Sequence, residues 1–207
     1  MPARNGHQGR GEVVPGVEAE RDLWRSLEAV NTFAALLRGV NVGGKNKVPM
    51  AGLRSLLESA GYADVVTYVQ SGNVVLRSSS RSAAKTESRL EGLIAEAFGS
   101  RIAVLLRTPA ELRRIASENP FLAGKAELSR LYVVFLRTAP KPEAVERLDP
   151  HRSPGDEYRL AGNELFLQLP SGAGQTKLTL DYFERTLGVD GTARNWNTLL
   201  RLVELTG

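Results

Sequence analysis

An internal repeat limits the folds open to this chain more than any other feature of its sequence. A continuous apolar run from Phe33 to Leu37 ends on Arg38, and a second run from Leu131 to Leu136 ends on Arg137. Both runs have the length of a strand, and an uninterrupted apolar strand is typical of one buried on both faces. The repeat therefore indicates two similar units, each built around a buried strand.

A second repeated pattern follows each apolar run. Gly72-Asn73 and Gly162-Asn163 each lie between two β-rich segments, and a tyrosine precedes the asparagine by five residues in both. Glycine adopts positive φ without steric cost, so Gly-Asn between strands predicts a two-residue hairpin. The predicted flanking strands are Val65–Gln70 and Val74–Arg77 in the first unit and Glu157–Leu160 and Glu164–Leu169 in the second.

Helical periodicity and capping residues complete both units. The first predicted helix begins near Pro49. The other predicted helices are Ala83–Phe98, Thr108–Ser117, Pro142–Leu148, Lys177–Leu187 and Thr198–Leu205. The remaining predicted strands are Ile102–Leu106 and Thr192–Arg194. Thr108-Pro109-Ala110-Glu111 has the sequence of a capping box. The order β-α-β-β-α-β is the ferredoxin-like pattern of an antiparallel sheet with two helices on one face. We predict an α+β fold: a tandem duplication of a ferredoxin-like βαββαβ unit, each with an added C-terminal helix.

The predicted organisation has four segments. Residues 1–31 form a flexible leader, residues 32–119 the first half, residues 120–129 a linker and residues 130–207 the second half. The leader contains a short predicted helix from Glu18 to Val30. Its apolar residues recur at helical spacing: Leu23, Trp24, Leu27 and Val30.

Composition excludes several classes of site. The 207 residues include no cysteine and two histidines, so disulfides and thiolate metal sites are excluded and no metal site is predicted. The absence of cysteine is consistent with a cytoplasmic protein. No apolar run approaches the roughly 20 residues that span a membrane, and we predict no membrane association. The cofactor and the oligomeric state stay open.

The segment after the first apolar run is the strongest candidate for a binding site. Gly39-x-x-x-x-Gly44-Lys45 resembles a P-loop, but Asn46 stands where a serine or threonine would bind Mg²⁺. Glycine amides, lysines and a helix start together favour a small anionic or phosphate-bearing ligand. The candidate residues are Arg38, Asn41, Gly43, Gly44, Lys45, Asn46, Lys47, Gln70, Ser71 and Asn73.

A glycine-rich loop at residues 170–177 and a polar segment at residues 193–198 supply secondary candidates. Lys177 is predicted at a helix start, as a second anion site, with Ser171 or Thr176 as the helix cap. In the polar segment, Trp196 is expected in the core and Asn197 as a helix cap. Arg194 and Asn195 then stay without a structural explanation, and both are candidates for ligand contact.

Two other functions stay open. A net charge of +4 permits a nucleic-acid or protein-interaction module, although the predicted strands offer only Tyr68 and Tyr158 for base stacking. An enzyme of unknown reaction is the third alternative, because the sequence contains no evident nucleophile–base pair or carboxylate pair. Catalytic residues are therefore not assigned.

Four motifs resemble one bacterial family. Residues 37–50, residues 67–75, residues 170–178 and residues 192–198 are similar to the motifs of the family catalogued as domain of unknown function 1697. Thr176 stands where that family tends to have serine. The resemblance covers residues 32–207 and implies a duplicated ferredoxin-like α+β fold. It implies no established activity, substrate or cofactor.

Overall fold

The structure is a computed structural model that describes residues 31–43, 46–124 and 126–207. These ranges contain eight β-strands and six α-helices. The strands are β1 (Asn31–Leu37), β2 (Ala63–Tyr68), β3 (Asn73–Ser78), β4 (Val104–Arg107), β5 (Leu131–Leu136), β6 (Glu157–Ala161), β7 (Glu164–Gln168) and β8 (Gly191–Asn195). The helices are α1 (Met50–Ser59), α2 (Ala83–Phe98), α3 (Pro109–Glu118), α4 (Pro142–Val145), α5 (Leu180–Leu187) and α6 (Trp196–Thr206). Two 3₁₀ turns, Pro120–Ala123 and Leu128–Arg130, precede β5.

The strands form two four-stranded antiparallel sheets. Sheet 1 has the order β2-β3-β1-β4 and sheet 2 has the order β6-β7-β5-β8. The apolar runs identified in the sequence are the inner strands β1 and β5, and Phe33 to Leu37 are all buried. The predicted α+β class and the predicted burial of these strands are therefore confirmed.

Successive strand residues face opposite sides of a sheet, and this alternation divides the apolar residues into three cores. Phe33, Ala35 and Leu37 pack with α1 and α2 in the first core. Residues of the opposite face of sheet 1 share the central core with β5, β7, α3 and α6. The far side of sheet 2 packs with α4 and α5 in the third core. The two sheets are therefore joined through a common apolar layer that contains Trp196.

Local capping explains where several helices begin. Ser82 accepts a hydrogen bond from the Lys85 amide at the start of α2, and Thr108 and Glu111 form the predicted capping box of α3. The predicted start of α5 at Lys177 was wrong, because Thr179 caps the helix and Leu180 is its first residue. Asn195, not Asn197, caps α6, which begins at the buried Trp196.

The two hairpins differ in length. Ala161 pairs with Glu164, so Gly162-Asn163 is the predicted two-residue loop. In the first half Tyr68 pairs with Asn73, which leaves a four-residue loop from Val69 to Gly72. The predicted two-residue loop there was wrong. Val69, the first residue of this loop, adopts a φ of 49°.

Gly72 and Gly162 make a matched pair for a stability measurement. Both have positive φ, but a Cβ at Gly72 would lie 2.7 Å from Leu37 Cβ and would also clash with Val40, whereas a Cβ at Gly162 meets nothing within 4 Å. Gly162→Ala is expected to cost roughly 1 kcal/mol of backbone strain. Gly72→Ala is expected to cost about 2 kcal/mol more because of the added overpacking. Equal costs in urea unfolding would contradict the steric argument.

No helix among the described residues is long and apolar enough to cross a membrane. The predicted leader and its helix at 18–30 lie outside the described residues, apart from Asn31, which begins β1.

Candidate functional site

The segment that follows β1, residues 39–49, is called the glycine loop. The φ angles of Gly39, Asn41 and Gly43 are 64°, 56° and 58°, whereas the intervening Val40 and Val42 are not among the positive-φ residues. Positive φ at every second residue gives this part of the glycine loop a turn-like backbone, and turn conformations can form anion-binding concavities. The described part of the glycine loop is therefore a candidate anion site.

Two of the predicted ligand residues hold the glycine loop in shape. The Asn41 side chain donates to Val48 O and Gln70 O at 2.9 and 2.8 Å and accepts from Val48 N at 2.9 Å. Asn46 Nδ2 donates to Gly39 O at 3.2 Å, and the Asn41 amide donates to Asn46 O at 3.2 Å. Both side-chain amides are thus used within the protein, and they fix the loop geometry.

The tip of the first hairpin lies beside the glycine loop. The bond from Asn41 to Gln70 O joins the two segments, and the Gln70 and Ser71 residues are exposed. Asn73 is fully buried, and its Nδ2 donates to Ser71 Oγ at 3.1 Å. The structure therefore brings Asn41 of the loop beside the predicted residues of the hairpin, with Asn73 buried next to Ser71.

Lys47 is the lysine of the glycine loop that lies within the described residues. It is exposed and forms no ion pair within the described residues. Gly44 and Lys45, the other predicted residues of the loop, lie outside the described residues. Helix α1 follows at Met50, and no side chain caps its first turn, which contains no acidic residue. The positive end of its dipole is therefore not offset by a carboxylate of its own first turn.

Arg38 is directed to the other half of the molecule. Its guanidinium donates to both carboxylate oxygens of Glu184 on α5, at 2.7 and 2.6 Å. This hydrogen bonding raises the pKa of Arg38. Glu184 Oε1 also accepts from Gly191 N at 2.8 Å. The charge of Arg38 is therefore balanced inside the protein.

Arg137, the second strand-end arginine, makes the reciprocal contact. Its Nη2 donates to Glu91 Oε1 on α2 at 2.7 Å, and that oxygen also accepts from Val104 N at 2.9 Å. Each half thus directs the arginine that ends its inner strand to a helix carboxylate of the other half. The same carboxylate also accepts a hydrogen bond from the backbone N–H of the first residue of an edge strand, Gly191 of β8 for Glu184 and Val104 of β4 for Glu91.

Arg194 and Arg107 form a second reciprocal pair of contacts. Arg194 on β8 donates to Asn73 Oδ1 at 2.5 Å and to Leu37 O at 2.9 Å. Arg107 on β4 donates to Glu164 Oε1 at 3.2 Å and to Leu136 O at 2.8 Å. Asn73 and Glu164 are the first residues of β3 and β7. Each arginine therefore joins an edge strand of its own sheet to the first residue of an inner strand of the other sheet.

Both arginines of this second pair are buried. Arg194 is 6% exposed and Arg107 is 5% exposed. Burial lowers the pKa of Arg194 to about 10, so its guanidinium is still charged at neutral pH. The sequence predicts Arg194 as a candidate for ligand contact, but it does not predict a role for Arg107. The signal available for Arg107 was its place at the end of the fourth strand of its half, as for Arg194.

Lys177 and Asn195 make their hydrogen bonds away from the glycine loop. The Lys177 backbone donates to Ser153 Oγ at 3.1 Å and accepts from Arg152 Nε at 2.9 Å. Asn195 caps α6 and donates from Nδ2 to Ser129 O at 2.8 Å. Because Lys177 lies three residues before the first residue of α5, its predicted place at a helix start was wrong.

A cavity beside the start of α5 is the most apolar alternative to the glycine loop among the described residues. Its volume is about 210 Å³, and it is lined by apolar and hydroxyl side chains and by no charged one. Within the described residues, no group of three or more His, Cys, Asp or Glu side chains could hold a metal ion. An anion site is therefore better placed at the glycine loop than at this cavity.

Comparison with known proteins gives a family and a fold. Residues 30–166 match the family described as protein of unknown function, DUF1697. The solved structure of the conserved bacterial protein SP0830 from Streptococcus pneumoniae is similar, with a TM-score of 0.66 and 23% identity. The match covers 86% of this chain and 100% of that one, and at this identity it concerns the fold alone. None of the curated proteins matches the sequence. The chain belongs to the DUF1697 family of proteins of unknown function.

Proposed function

We propose that the protein binds a small anionic or phosphate-bearing ligand at the glycine loop. The observation that carries the proposal is the turn-like backbone of the loop, with positive φ at Gly39, Asn41 and Gly43, shortly before the uncapped start of α1. Asn41 and Asn46 hold this geometry without a ligand, so little ordering is needed on binding. The described part of the loop is therefore held by the protein's own hydrogen bonds.

Charge near the loop supports the same proposal. Lys47 is exposed and without an ion pair among the described residues, whereas Arg38 is already bound to Glu184. The uncapped start of α1 adds the positive end of a helix dipole. We therefore assign ligand attraction to Lys47 and, from the sequence alone, to Lys45. Arg38 then acts by holding the end of β1 against α5.

Lysine substitutions test the proposal. Calorimetric titration of the full chain with inorganic pyrophosphate and with a panel of nucleoside and sugar phosphates is the measurement. Lys47→Ala is expected to weaken binding about tenfold, equivalent to about 1.4 kcal/mol, and Lys45→Ala with Lys47→Ala to weaken it further. Lys141 precedes Pro142 in the corresponding loop of the second half, and Lys141→Ala is the matched control with unchanged affinity.

Two results would contradict this site. One is an equal loss of affinity in the Lys47 and Lys141 variants, since that would indicate general charge attraction. The other is binding only to oligonucleotides with an affinity that falls steeply with salt, which is the behaviour of a nucleic-acid-binding protein.

We also infer that the two halves are copies of one ferredoxin-like βαββαβ unit, each followed by a helix. Both sheets have the same strand order, in which the second, third, first and fourth strands of a half are neighbours. Two sets of matching contacts between the halves support the same inference. Arg38 binds Glu184 as Arg137 binds Glu91, and Arg107 binds Glu164 as Arg194 binds Asn73. Glycine-loop binding would then be a property of one copy, because only the first half carries the long loop between its first strand and first helix.

A further inference from the structure

The cavity of about 210 Å³ beside the start of α5 is called the α5 cavity. It is lined by residues of sheet 2, among them Val134 of β5, Leu167 of β7 and Ala193 of β8, and by residues of the chain between 173 and 180. No charged side chain lines it. The α5 cavity therefore opens onto the face of sheet 2 that carries the third core.

The corresponding position on sheet 1 is filled by a leucine. Ala193 pairs with Val134 as Leu106 pairs with Ala35, and Val134 and Ala35 in turn pair with the second residues of β7 and β3. Ala193 and Leu106 therefore occupy the same position in their sheets. Leu106 is buried in the first core, whereas Ala193 is exposed. At this position the second half has a smaller side chain and leaves it uncovered.

The helix over this face also begins later in the second half. Leu90 of α2 and Phe183 of α5 are both buried, and each directly precedes the glutamate that binds a strand-end arginine. Helix α2 begins seven residues before Leu90, whereas α5 begins three residues before Phe183. The additional turn of α2 contains the buried Thr86, and the residue at the same distance before Phe183 is the exposed Thr179. The second half thus lacks a helical turn that covers the first.

Size and lining define the ligand that the α5 cavity can hold. An apolar cavity of about 150 Å³ can bind benzene, so about 210 Å³ has room for one aromatic ring with a short substituent. A charged ligand would lose its hydration there without meeting an opposite charge. The lining also includes three hydroxyl-bearing residues, Tyr132, Thr176 and Thr179, which suit a single polar substituent.

We propose that the second half binds a small uncharged aromatic compound in the α5 cavity. The glycine-rich loop at residues 170–177, predicted from the sequence as a second anion site, contributes Ala173 and Thr176 to this apolar lining. No described residue of the glycine loop at 39–49 lines the cavity, so the two candidate sites are separate.

Methyl NMR spectroscopy of the full chain with benzyl alcohol tests the proposal. Ring protons of benzyl alcohol are expected to show nuclear Overhauser effects to methyl groups of Val134, Leu167 and Leu178, which line the cavity. None is expected to the methyl groups of Val69, which is 48% exposed on the first hairpin. Benzoate has the same ring with a negative charge and is expected to bind about tenfold more weakly.

A substitution taken from the first half tests the position of the site. Ala193→Leu introduces the residue that sheet 1 has at this position, and it is expected to fill the cavity and weaken benzyl alcohol binding about tenfold. Its melting temperature is expected to equal or exceed that of the unaltered chain. Ala97 is exposed on α2 outside the cavity lining, so Ala97→Leu is the matched control with unchanged affinity.

Three results would overturn the proposal. They are the absence of Overhauser effects at the lining methyl groups, effects of equal size at Val69, and equal affinity for benzoate and benzyl alcohol. Unchanged affinity in a folded Ala193→Leu variant would overturn it as well. The Overhauser measurement needs no variant, so it decides the question even if Ala193→Leu does not fold.

Discussion

Arg194→Ala is expected to lower the free energy of unfolding by about 4 kcal/mol and the melting temperature by about 12 °C. The guanidinium is 6% exposed and donates to Asn73 Oδ1, Leu37 O and Gly72 O of the first half. Its removal leaves the buried Asn73 Oδ1 without a donor, at a cost of about 1–3 kcal/mol, whereas Gly72 O still accepts from Leu37 N at 2.8 Å and Leu37 O from Thr192 Oγ1 at 3.5 Å. The cavity left by the buried side chain adds the rest of the expected loss. Calorimetry or urea unfolding of the full chain measures the loss.

Arg201 provides the matched control for Arg194. It lies on α6, is 48% exposed at its side chain, and pairs with Glu204 on the same helix. Arg201→Ala is expected to change stability by less than about 0.5 kcal/mol. A loss below about 1 kcal/mol in Arg194→Ala would show that its bonds between the halves contribute little to the fold.

Glu164→Ala is expected to destabilise the protein by about 3–5 kcal/mol. Glu164 is 1% exposed and binds Arg107 at 3.2 Å and Arg114 at 2.9 Å. Because Arg107 is 5% exposed, it would become a buried cation without a carboxylate partner. Thermal unfolding of Glu164→Ala beside Glu157→Ala, which removes an exposed carboxylate of the same half, measures the difference.

A double substitution separates the ion pair from simple loss of packing. Replacing both Arg107 and Glu164 with methionine removes the two buried charges together, and stability is expected to recover most of the loss seen in Glu164→Ala. A double variant as unstable as Glu164→Ala would contradict the argument from an unpaired charge.

Patterns in the sequence were sufficient for the elements and for their order. Buried strands β1 and β5 follow from uninterrupted apolar runs, and the starts of α2 and α3 follow from capping residues whose partners lie three positions away. These signals are local, since a strand or a helix turn is defined by neighbours in the chain. The position of the glycine loop between a strand and a helix was predictable for the same reason.

Local patterns failed where several residues could perform the same task. Thr176 and Thr179 both resemble caps of α5, and Asn195 and Asn197 both resemble caps of α6. The choice depends on which side chain reaches a free amide once Phe183 and Trp196 are buried. In the first hairpin Asn73 is the first residue of β3 and not a turn residue, and its buried side chain accepts a hydrogen bond from Arg194 of the other sheet.

The sequence by itself determined the α+β class, the inner strands and the candidate anion loop with its exposed lysine. The tertiary structure alone decided what the arginines do. Arg38 and Arg137 end their strands in the same way, yet nothing near either one in the chain indicates that Glu184 and Glu91 are their partners. Arg38 and Glu184 are 146 residues apart, and such a pair forms only when the cores of two halves pack against each other. An ion pair at that separation follows from the packing of the halves and leaves no periodic signal in the chain.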